Sequence, residues 1–288
     1  MENKIVLITG ATAGIGKETA LGIAKTGANV VIVGRSKQKC ESVVEEIKCA
    51  TNNANVDFLT ADLFSLTEIR KLADDFKAKY QRLDVLVNNA GAIFTKREIT
   101  VDGFEKTLAL NHLSYFLLTN LLLDTIKQTE NSRIVSVSST AHTFANKIDF
   151  NNLNGEKSHS GLGAYGVSKL MNIMFTYEIA RRLKGSNVAA NCLHPGVVAS
   201  NFGETMGSLY QIPIWIFKNV FAISAAKGAE TSVYLATSPE VEGVTGRYFD
   251  NKRETQSSKI SYDESLQRQL WETSEKLVGQ QFQPTQKI

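Results

Sequence analysis

The sequence predicts an α/β fold, a doubly wound parallel sheet flanked by helices. Short runs of β-branched residues alternate with amphipathic segments over most of the 288 residues, which is typical of βαβ units. The first run, Ile5 to Ile8, is apolar throughout, as in a strand that is buried on both faces. A glycine-rich turn follows this run and leads into a helix-like segment. These features predict a ligand at the carboxyl ends of the strands.

The same patterns assign the individual elements. Two half-polar segments, Glu41 to Ile47 and Glu68 to Phe76, are predicted to be helices that cover the sheet. The strands are predicted at Ile5 to Thr9, Val30 to Gly34, Val56 to Thr60, Val85 to Asn88, Ile134 to Ser138, Asn187 to His194 and Arg247 to Asp250.

Composition indicates one domain over residues 1–288, since 43% of the residues are hydrophobic and 21% are charged. The net charge of +3 is spread along the chain, and acids interrupt the basic clusters, which argues against nucleic acid as a partner. Cys40, Cys49 and Cys192 have no metal-ligand spacing and are interpreted as reduced thiols of an intracellular protein. We therefore expect no metal site.

The amino terminus carries no hydrophobic signal, because only Met1, Glu2 and Asn3 precede Lys4. This predicts a soluble, cytoplasmic protein. An anchor removed from the chain would leave the same sequence.

The glycine-rich turn contains Gly10, Ala13, Gly14, Ile15 and Gly16, with the spacing GxxxGxG. Glycines allow a tight turn, and the amides of a helix amino terminus can approach a diphosphate. In its strand-turn-helix context the turn predicts a dinucleotide site, and the alternative is an ordinary strand-helix loop.

Arg35 follows the second strand, where a carboxylate would bind the ribose hydroxyls of NAD. A guanidinium favours the 2′-phosphate of NADP. We therefore expect NADP(H) to be preferred, with NAD(H) kept open. The alternative is a solvated surface arginine.

Polar or small residues follow the third and fourth strands. Asn111, within an apolar stretch, is a buried amide that serves either as structural glue or as a relay. The others are predicted to line the adenine and its ribose, with helix caps or turns as the alternative: Asp62, Leu63, Asn89, Ala90 and Gly91.

Tyr165 and Lys169 lie four residues apart in a segment whose apolar residues recur at helical spacing, so their side chains share a face. A free tyrosine has a pKa of about 10, and a neighbouring cation lowers it toward the range useful in acid-base catalysis. Taken alone, the pair is more often simple packing.

Taken together, TGATAGIG, Asp62, NNAG, Asn111, the serine pair at 138–139, Tyr165-x-x-x-Lys169 and the His-Pro-Gly run at 194–196 resemble the short-chain dehydrogenase/reductase superfamily, with its Rossmann-type fold. The resemblance implies that Tyr165 is the proton donor or acceptor and that Ser139 polarises the substrate oxygen. It implies that Lys169 lowers the Tyr165 pKa and binds the nicotinamide ribose, and that Asn111 supports a proton relay.

The resemblance also implies that residues near Pro195, Gly196, Val198 and Ser200 orient the nicotinamide. Ala13 stands where many NADP-dependent members carry a basic residue, so the cofactor preference depends on Arg35. The long interval from Ser139 to Tyr165, together with Asn111-His112-Leu113, Arg35 and the HPGVV run, resembles the retinol dehydrogenase-like branch. Members of that branch interconvert retinal or other lipophilic carbonyls with alcohols.

An apolar segment within residues 202–226 is too short to span a bilayer and is predicted to be a substrate lid. Core packing, a homo-oligomer interface and a peripheral membrane contact are the alternatives. Trp271 and Leu277 are predicted to anchor a last helix over the pocket, and residues 280–288 are predicted to fray.

The leading hypothesis is an NADP(H)-dependent oxidoreductase that acts on a lipophilic, retinal-like aldehyde or ketone and its alcohol. Steroid, quinone and xenobiotic carbonyls are the alternative substrates. A non-catalytic NADP-sensing protein is the alternative of another class, because a fold does not fix a function.

Overall fold

The computed structural model describes residues 1–196 and 224–282. Within them one sheet has the strand order β3-β2-β1-β4-β5-β6-β7-β8. All neighbouring strands are parallel except β7 and β8. The strands are β1 Ile5–Thr9, β2 Asn29–Gly34, β3 Val56–Thr60, β4 Val85–Asn88, β5 Ser132–Val137, β6 Val188–His194, β7 Arg247–Asp250 and β8 Arg253–Thr255.

Helices cover both faces of this sheet, and their apolar residues form one large core on each side. The first core includes side chains of α3, α5, α7 and α9, and the second includes those of α1, α2 and α8. The helices are α1 Gly14–Ala24, α2 Lys37–Thr51, α3 Leu66–Lys79, α4 Lys106–Leu108, α5 Ser114–Leu121, α6 Leu123–Lys127, α7 Gly161–Arg182, α8 Ala225–Thr237 and α9 Glu264–Val278.

The first strand shows why its sequence is apolar at every central position. Leu7 packs into the core of one face, whereas Val6 and Ile8 pack into the core of the other. None of the three side chains is exposed to solvent. Neighbouring side chains of a strand point to opposite faces, so a strand that is covered on both sides needs apolar residues throughout.

The chain reverses its winding direction between β1 and β4, which lie side by side at the centre of the sheet. From β1 the sheet extends to β2 and β3 on one side, and from β4 it extends to β5 on the other. The loops after these two strands diverge, which leaves a crevice at their carboxyl ends. The predicted doubly wound α/β fold is therefore confirmed.

The strand predictions hold, with small shifts at β2, β5 and β6, but β8 was missed. Residues 253–255 are exposed and polar, so no apolar pattern marks this edge strand. It pairs with β7 through a turn in which Asn251 and Lys252 adopt positive φ angles of 48° and 62°. Such a turn brings two antiparallel strands together without requiring burial.

The last helix, α9, packs against α7. Its Trp271 is 3% exposed and stacks on Phe175 of α7, with the ring centroids 6.0 Å apart. At the start of the segment predicted to fray, Gln280 accepts a hydrogen bond from Arg70, and the Phe282 amide donates to Glu275 Oε1 at 2.7 Å. Fraying of residues 280–288 stays a prediction. Residues 283–288 lie outside the described part, as do residues 202–223 of the segment 202–226 that was predicted to be a lid. Among the residues described, no helix combines the length and apolar character needed to cross a bilayer.

Candidate active site

The turns after β1 and β4 are in direct contact at the carboxyl edge of the sheet. Asn89 Nδ2 donates hydrogen bonds to the carbonyl oxygens of Thr9 at 2.8 Å and Gly10 at 3.2 Å. Gly10 has a φ of +65°, and a Cβ placed on it would lie 2.7 Å from Ala90 Cα. A Cβ on Gly16 would lie 2.4 Å from Asn89 Nδ2. The close approach of the two turns therefore requires glycine at both positions.

Helix α1 begins in this turn without a side chain to cap it. Ala13 is its N-cap and offers no acceptor, whereas Ser36 and Ser65 cap α2 and α3 by accepting from backbone amides. Gly14 has a φ of +54°, and no atom lies within 4 Å of the place where its Cβ would be. The first amides of α1 thus have no side-chain cap, and the space beside Gly14 is open, so this helix terminus can bind an anion.

Arg35 lies beside the same turn. A Cβ on Gly34 would lie 2.4 Å from Thr12 Cγ2, so the end of β2 is packed closely against the glycine-rich turn. The Arg35 guanidinium carbon is 5.5 Å from the centroid of the Phe64 ring. Arg35 is exposed and has no carboxylate partner within the described ranges. Its charge is therefore available to a ligand.

The turn after β3 is fixed by Asp62, whose Oδ1 accepts a hydrogen bond from the Phe64 amide at 3.1 Å. This is the turn role that the sequence left open for Asp62. Leu63 and Ala90 are each 6% exposed and contribute to the core beneath the crevice.

Asn111 connects the turn after β4 to helix α7. Its Oδ1 accepts from the Ala92 amide at 2.9 Å, and its Nδ2 donates to the Ala92 carbonyl at 2.9 Å and to Ser168 Oγ at 3.0 Å. Ser168 Oγ in turn donates to the carbonyl oxygen of Tyr165 at 2.8 Å. Asn111 belongs to a π-helical segment, Ala109–Leu113, between α4 and α5. The buried amide therefore fixes α7 at the level of Tyr165.

Tyr165 and Lys169 lie one turn apart on α7, as predicted. The Lys169 Nζ atom is 5.6 Å from the centroid of the Tyr165 ring and donates to the Val137 carbonyl oxygen at 3.1 Å. A Cβ on Gly91 would lie 3.2 Å from this Nζ atom and 3.3 Å from Asn111 Oδ1. Four of the predicted site residues, Gly91, Asn111, Tyr165 and Lys169, thus converge.

Burial dominates the protonation of this pair. It raises the pKa of Tyr165 to about 12, and the hydrogen bond with the Ser139 side chain opposes that rise. Burial lowers the pKa of Lys169 to about 7. The phenol is therefore protonated at neutral pH and can donate. The expected lowering of the Tyr165 pKa by Lys169 is not among these influences, and the role of Lys169 stays a prediction.

Two histidines hold the backbone around Ser139. His142 Nε2 accepts from the Ser258 amide at 3.0 Å, so its Nδ1 carries the proton and donates to the Ser139 carbonyl at 2.7 Å. His194 Nδ1 accepts from the Thr140 amide at 3.2 Å. The sequence patterns assigned no role to His142 and predicted for His194 only local packing or hydrogen bonding, because isolated histidines have no informative spacing.

The two serines after β5 have different surroundings. Ser138 Oγ donates to the Lys169 carbonyl oxygen at 2.8 Å and so joins β5 to α7. The Ser139 side chain caps the short 3-10 helix Thr140–Phe144 and reaches Tyr165. The catalytic role of Ser139 stays a prediction. Pro195 and Gly196 follow β6 directly, whereas Val198 and Ser200 lie outside the described residues.

Comparison with known proteins gives a consistent result. Residues 4–208 match the family described as short chain dehydrogenase. Retinol dehydrogenase 14 of Mus musculus is 40% identical over 295 residues, covering 97% of this chain and 87% of that protein. Polyprenol dehydrogenase of Homo sapiens is 39% identical over 283 residues, covering 96% and 86%.

The similarity extends to three dimensions. A crystal structure of a protein from Mycobacterium paratuberculosis superimposes with a TM-score of 0.80 at 31% sequence identity, covering 98% of this chain and 96% of that one. With its doubly wound sheet, its glycine-rich turn and the Ser139, Tyr165 and Lys169 side chains at one edge, the chain belongs to the short-chain dehydrogenase family of oxidoreductases and is retinol dehydrogenase-like.

Proposed function

We propose that this protein is an NADP(H)-dependent oxidoreductase that interconverts a lipophilic aldehyde or ketone and its alcohol. The observation that carries the proposal is the buried Tyr165 phenol, hydrogen-bonded to Ser139 and close to the Lys169 ammonium. This group lies at the same sheet edge as the open glycine-rich turn. A proton donor and a nucleotide site are thus side by side.

The glycine-rich turn fits a dinucleotide. The uncapped amides of α1 would bind the diphosphate, and the open space above Gly14 leaves room for it. Residues at Asp62, Asn89 and Gly91 would lie along the adenosine and its ribose. Lys169 would bind the nicotinamide ribose, and the segment from Pro195 through Ser200 would orient the nicotinamide. When bound, the nicotinamide supplies or takes up the hydride.

A preference for NADP(H) is supported by the end of β2. A Cβ on Gly34 would overlap Thr12, which leaves little room for a carboxylate that binds ribose hydroxyls. The adjacent Arg35 guanidinium is exposed and has no acidic partner among the residues described. An arginine of this kind suits the 2′-phosphate, to which it can donate two hydrogen bonds.

The side chains at Ser139 and Tyr165 account for the proton step. In reduction, Tyr165 Oη donates its proton to the carbonyl oxygen while the Ser139 hydroxyl donates a hydrogen bond to the same oxygen. The Lys169 ammonium then stabilises the phenolate that remains. In oxidation the phenolate takes the proton from the alcohol. Asn111 keeps α7 in position and supports the return of the proton.

A lipophilic substrate is supported by two apolar side chains beside the site. Phe144 is 74% exposed and ends the 3-10 helix that begins after Ser139. Leu162 is 56% exposed and lies one turn before Tyr165 on α7. Retinol and polyprenol, named in the relatives, are both isoprenoid alcohols. We therefore place all-trans-retinal first among the substrates, ahead of steroids, quinones and xenobiotic carbonyls.

The test supplies NADPH or NADH with all-trans-retinal, for which the retinol formed is measured by chromatography, and with a panel of ketones and quinones. The variant is Tyr165→Phe, and the matched control is Tyr177→Phe, another buried tyrosine of α7, whose hydroxyl contacts Ser257. We expect turnover with NADPH to fall about 10²- to 10⁴-fold in Tyr165→Phe only.

Each other outcome removes a defined part of the proposal. Turnover that persists in Tyr165→Phe would overturn the assignment of the proton donor. Equal turnover with NADH would overturn the cofactor preference, and activity confined to other carbonyls would overturn the retinal-like substrate. Tight NADPH binding without turnover of any substrate would favour a nucleotide sensor.

A further inference from the structure

We propose that Tyr115 is a positioning residue that holds the Lys169 ammonium against its aromatic ring, in addition to the contact that Lys169 makes with Tyr165. This inference rests on the proposed function, in which Lys169 must stay charged and fixed beside the proton donor. Tyr115 was not singled out by the sequence patterns. Its contact with Lys169 is seen only in the folded protein, where Tyr115 of α5 lies beside Lys169 of α7.

The contact is defined by one nitrogen and two rings. The Nζ atom of Lys169 lies 5.9 Å from the centroid of the Tyr115 ring and 5.6 Å from that of the Tyr165 ring. Both distances fall within the range of a cation–π interaction. The attraction is larger where water is excluded, and Tyr115 and Lys169 are only 1% and 3% exposed.

The ammonium has few other partners. An ammonium has three donors, and Lys169 uses one for the Val137 carbonyl oxygen at 3.1 Å. None of the ion pairs within the described ranges involves Lys169. A buried charge without a carboxylate needs another source of stabilisation. The electron-rich faces of two phenol rings supply it.

The titratable groups around Lys169 come from three elements. Tyr165 lies on α7 with Lys169, Tyr115 comes from α5, and His194 comes from β6. The pKa of His194 is lowered, chiefly by burial and in part by the Lys169 charge. Burial, with a smaller contribution from Tyr165, holds the pKa of Tyr115 well above its ordinary value. Tyr115 therefore acts as a neutral ring and not as a phenolate.

The backbone explains how Tyr115 reaches this position. It follows Asn111 by four residues, and the π-helical segment Ala109–Leu113 lies between α4 and α5. Asn111 contacts Ser168 of α7, while Tyr115 faces Lys169 of the same helix. Such π-helical turns occur frequently at functional sites. The π-helical segment and the start of α5 thus place the Asn111 amide and the Tyr115 ring against neighbouring residues of α7.

The ring, and not the hydroxyl, is the functional part. Tyr115 Oη is buried and has no hydrogen-bond partner among the described residues. Tyr115→Phe removes that hydroxyl and keeps the ring, so the contact with the Lys169 ammonium should be retained in this variant. Fluorination of the phenylalanine ring weakens its attraction for a cation with almost no change in volume. A fluorinated series therefore separates electrostatics from packing.

The experiment measures the pKa of Lys169 in the full chain without cofactor. The protein is labelled with ε-carbon-13 lysine, and the Lys169 signal is assigned with Lys169→Met. Position 115 carries phenylalanine, 4-fluoro-, 3,5-difluoro- or 3,4,5-trifluorophenylalanine. We expect the pKa of about 7 to be kept with phenylalanine and to fall stepwise, by about one unit in total, across the series.

The pH dependence of kcat/KM with NADPH provides the second measurement. The apparent pKa in this profile that reports Lys169 should shift with fluorination by the same amount as the Lys169 pKa measured without cofactor. Thermal unfolding of each variant confirms that the fold is intact. A Lys169 pKa that does not respond to fluorination in folded variants overturns the role of Tyr115.

Failure of the proposed function has a different signature. Full turnover in Tyr165→Phe would remove the proton donor, yet the dependence of the Lys169 pKa on the ring at position 115 would remain. If the Lys169 pKa stays constant across the fluorinated variants while Tyr165→Phe is inactive, only the inference about Tyr115 is rejected.

Discussion

The Nδ1 atom of His142 donates a hydrogen bond to the carbonyl oxygen of Ser139 at 2.7 Å. The other ring nitrogen accepts from the Ser258 amide at 3.0 Å. A side chain that is 2% exposed therefore ties the backbone of the predicted catalytic serine to the segment after β8. The side chain of Ser139 remains available to Tyr165, while its backbone is held in place.

His142 should thus influence catalysis without contacting the substrate. His142→Leu removes both hydrogen bonds, and we expect kcat to fall about 100-fold because Ser139 is misplaced. His142→Asn can still donate to the Ser139 carbonyl and should recover most of the loss. Steady-state kinetics measures the effect, and the Kd for NADPH should not change. Equal kcat values for both variants would contradict this explanation.

Arg35 should determine the preference for the phosphorylated cofactor. We expect Arg35→Ala to raise the Kd for NADPH about 10- to 100-fold, the effect of losing hydrogen bonds between two charged groups. The Kd for NADH should stay the same. Lys48→Ala is the control, since it removes an equal charge from α2 where Lys48 pairs with Glu45. Calorimetric titration measures both constants, and a parallel loss for NADH would argue against a phosphate contact.

Gly16 should not tolerate even one added methyl group. In Gly16→Ala the new Cβ would lie 2.4 Å from both Asn89 Nδ2 and the Gly10 carbonyl oxygen. We expect a loss of about 1–3 kcal/mol in the free energy of unfolding, together with loss of NADPH binding. Gly163→Ala is the control, because its Cβ would have only ordinary contacts with Ser160 near the start of α7. Equal unfolding midpoints in urea for the two variants would refute the prediction.

His112 should make stability depend on pH. Burial lowers its pKa from 6.5 to about 4 in the folded protein, so the unfolded chain binds more protons between these values. The stabilisation is fully present above pH 6.5 and is lost as the pH falls toward 4, by about 3 kcal/mol. The Nε2 atom of His112 lies 2.8 Å from Ser274 Oγ, which itself donates to the Leu270 carbonyl oxygen. His112→Gln can donate a hydrogen bond to Ser274 but does not titrate, so its free energy of unfolding should decline less steeply as the pH falls.

Urea denaturation between pH 4 and 7 measures that difference. His142 and His194 also have lowered pKa values and titrate in both proteins, so the difference between the two curves isolates His112. If the free energy of unfolding depends on pH equally in His112→Gln and in the unchanged protein, His112 does not titrate with a lowered pKa.

Local sequence patterns predicted most of the sheet because its strands are buried on both faces. A run such as Val6-Leu7-Ile8 has to be apolar wherever helices cover both sides. The edge strand β8 lacks that requirement and could not be recognised. The π-helical segment around Asn111 was equally hidden, since its apolar residues resemble those of an ordinary buried helix.

The spacing of Tyr165 and Lys169 predicted a shared helix face but not the balance of their pKa values. Proximity to a cation lowers the pKa of a phenol, whereas burial raises it. The depth of burial depends on helices that are distant in sequence. Only the folded structure reveals that burial is the larger influence on both groups.

The sequence by itself determined the positions of seven strands along the chain, the glycine-rich turn and the helix that carries Tyr165 and Lys169, because each depends on residues close together in the chain. The tertiary structure decided the support of Ser139 by His142, the exposure of Arg35 and the contact between Tyr115 and Lys169. These relationships join residues from different elements. Their geometry follows from packing across the sheet and between helices, which no local pattern encodes.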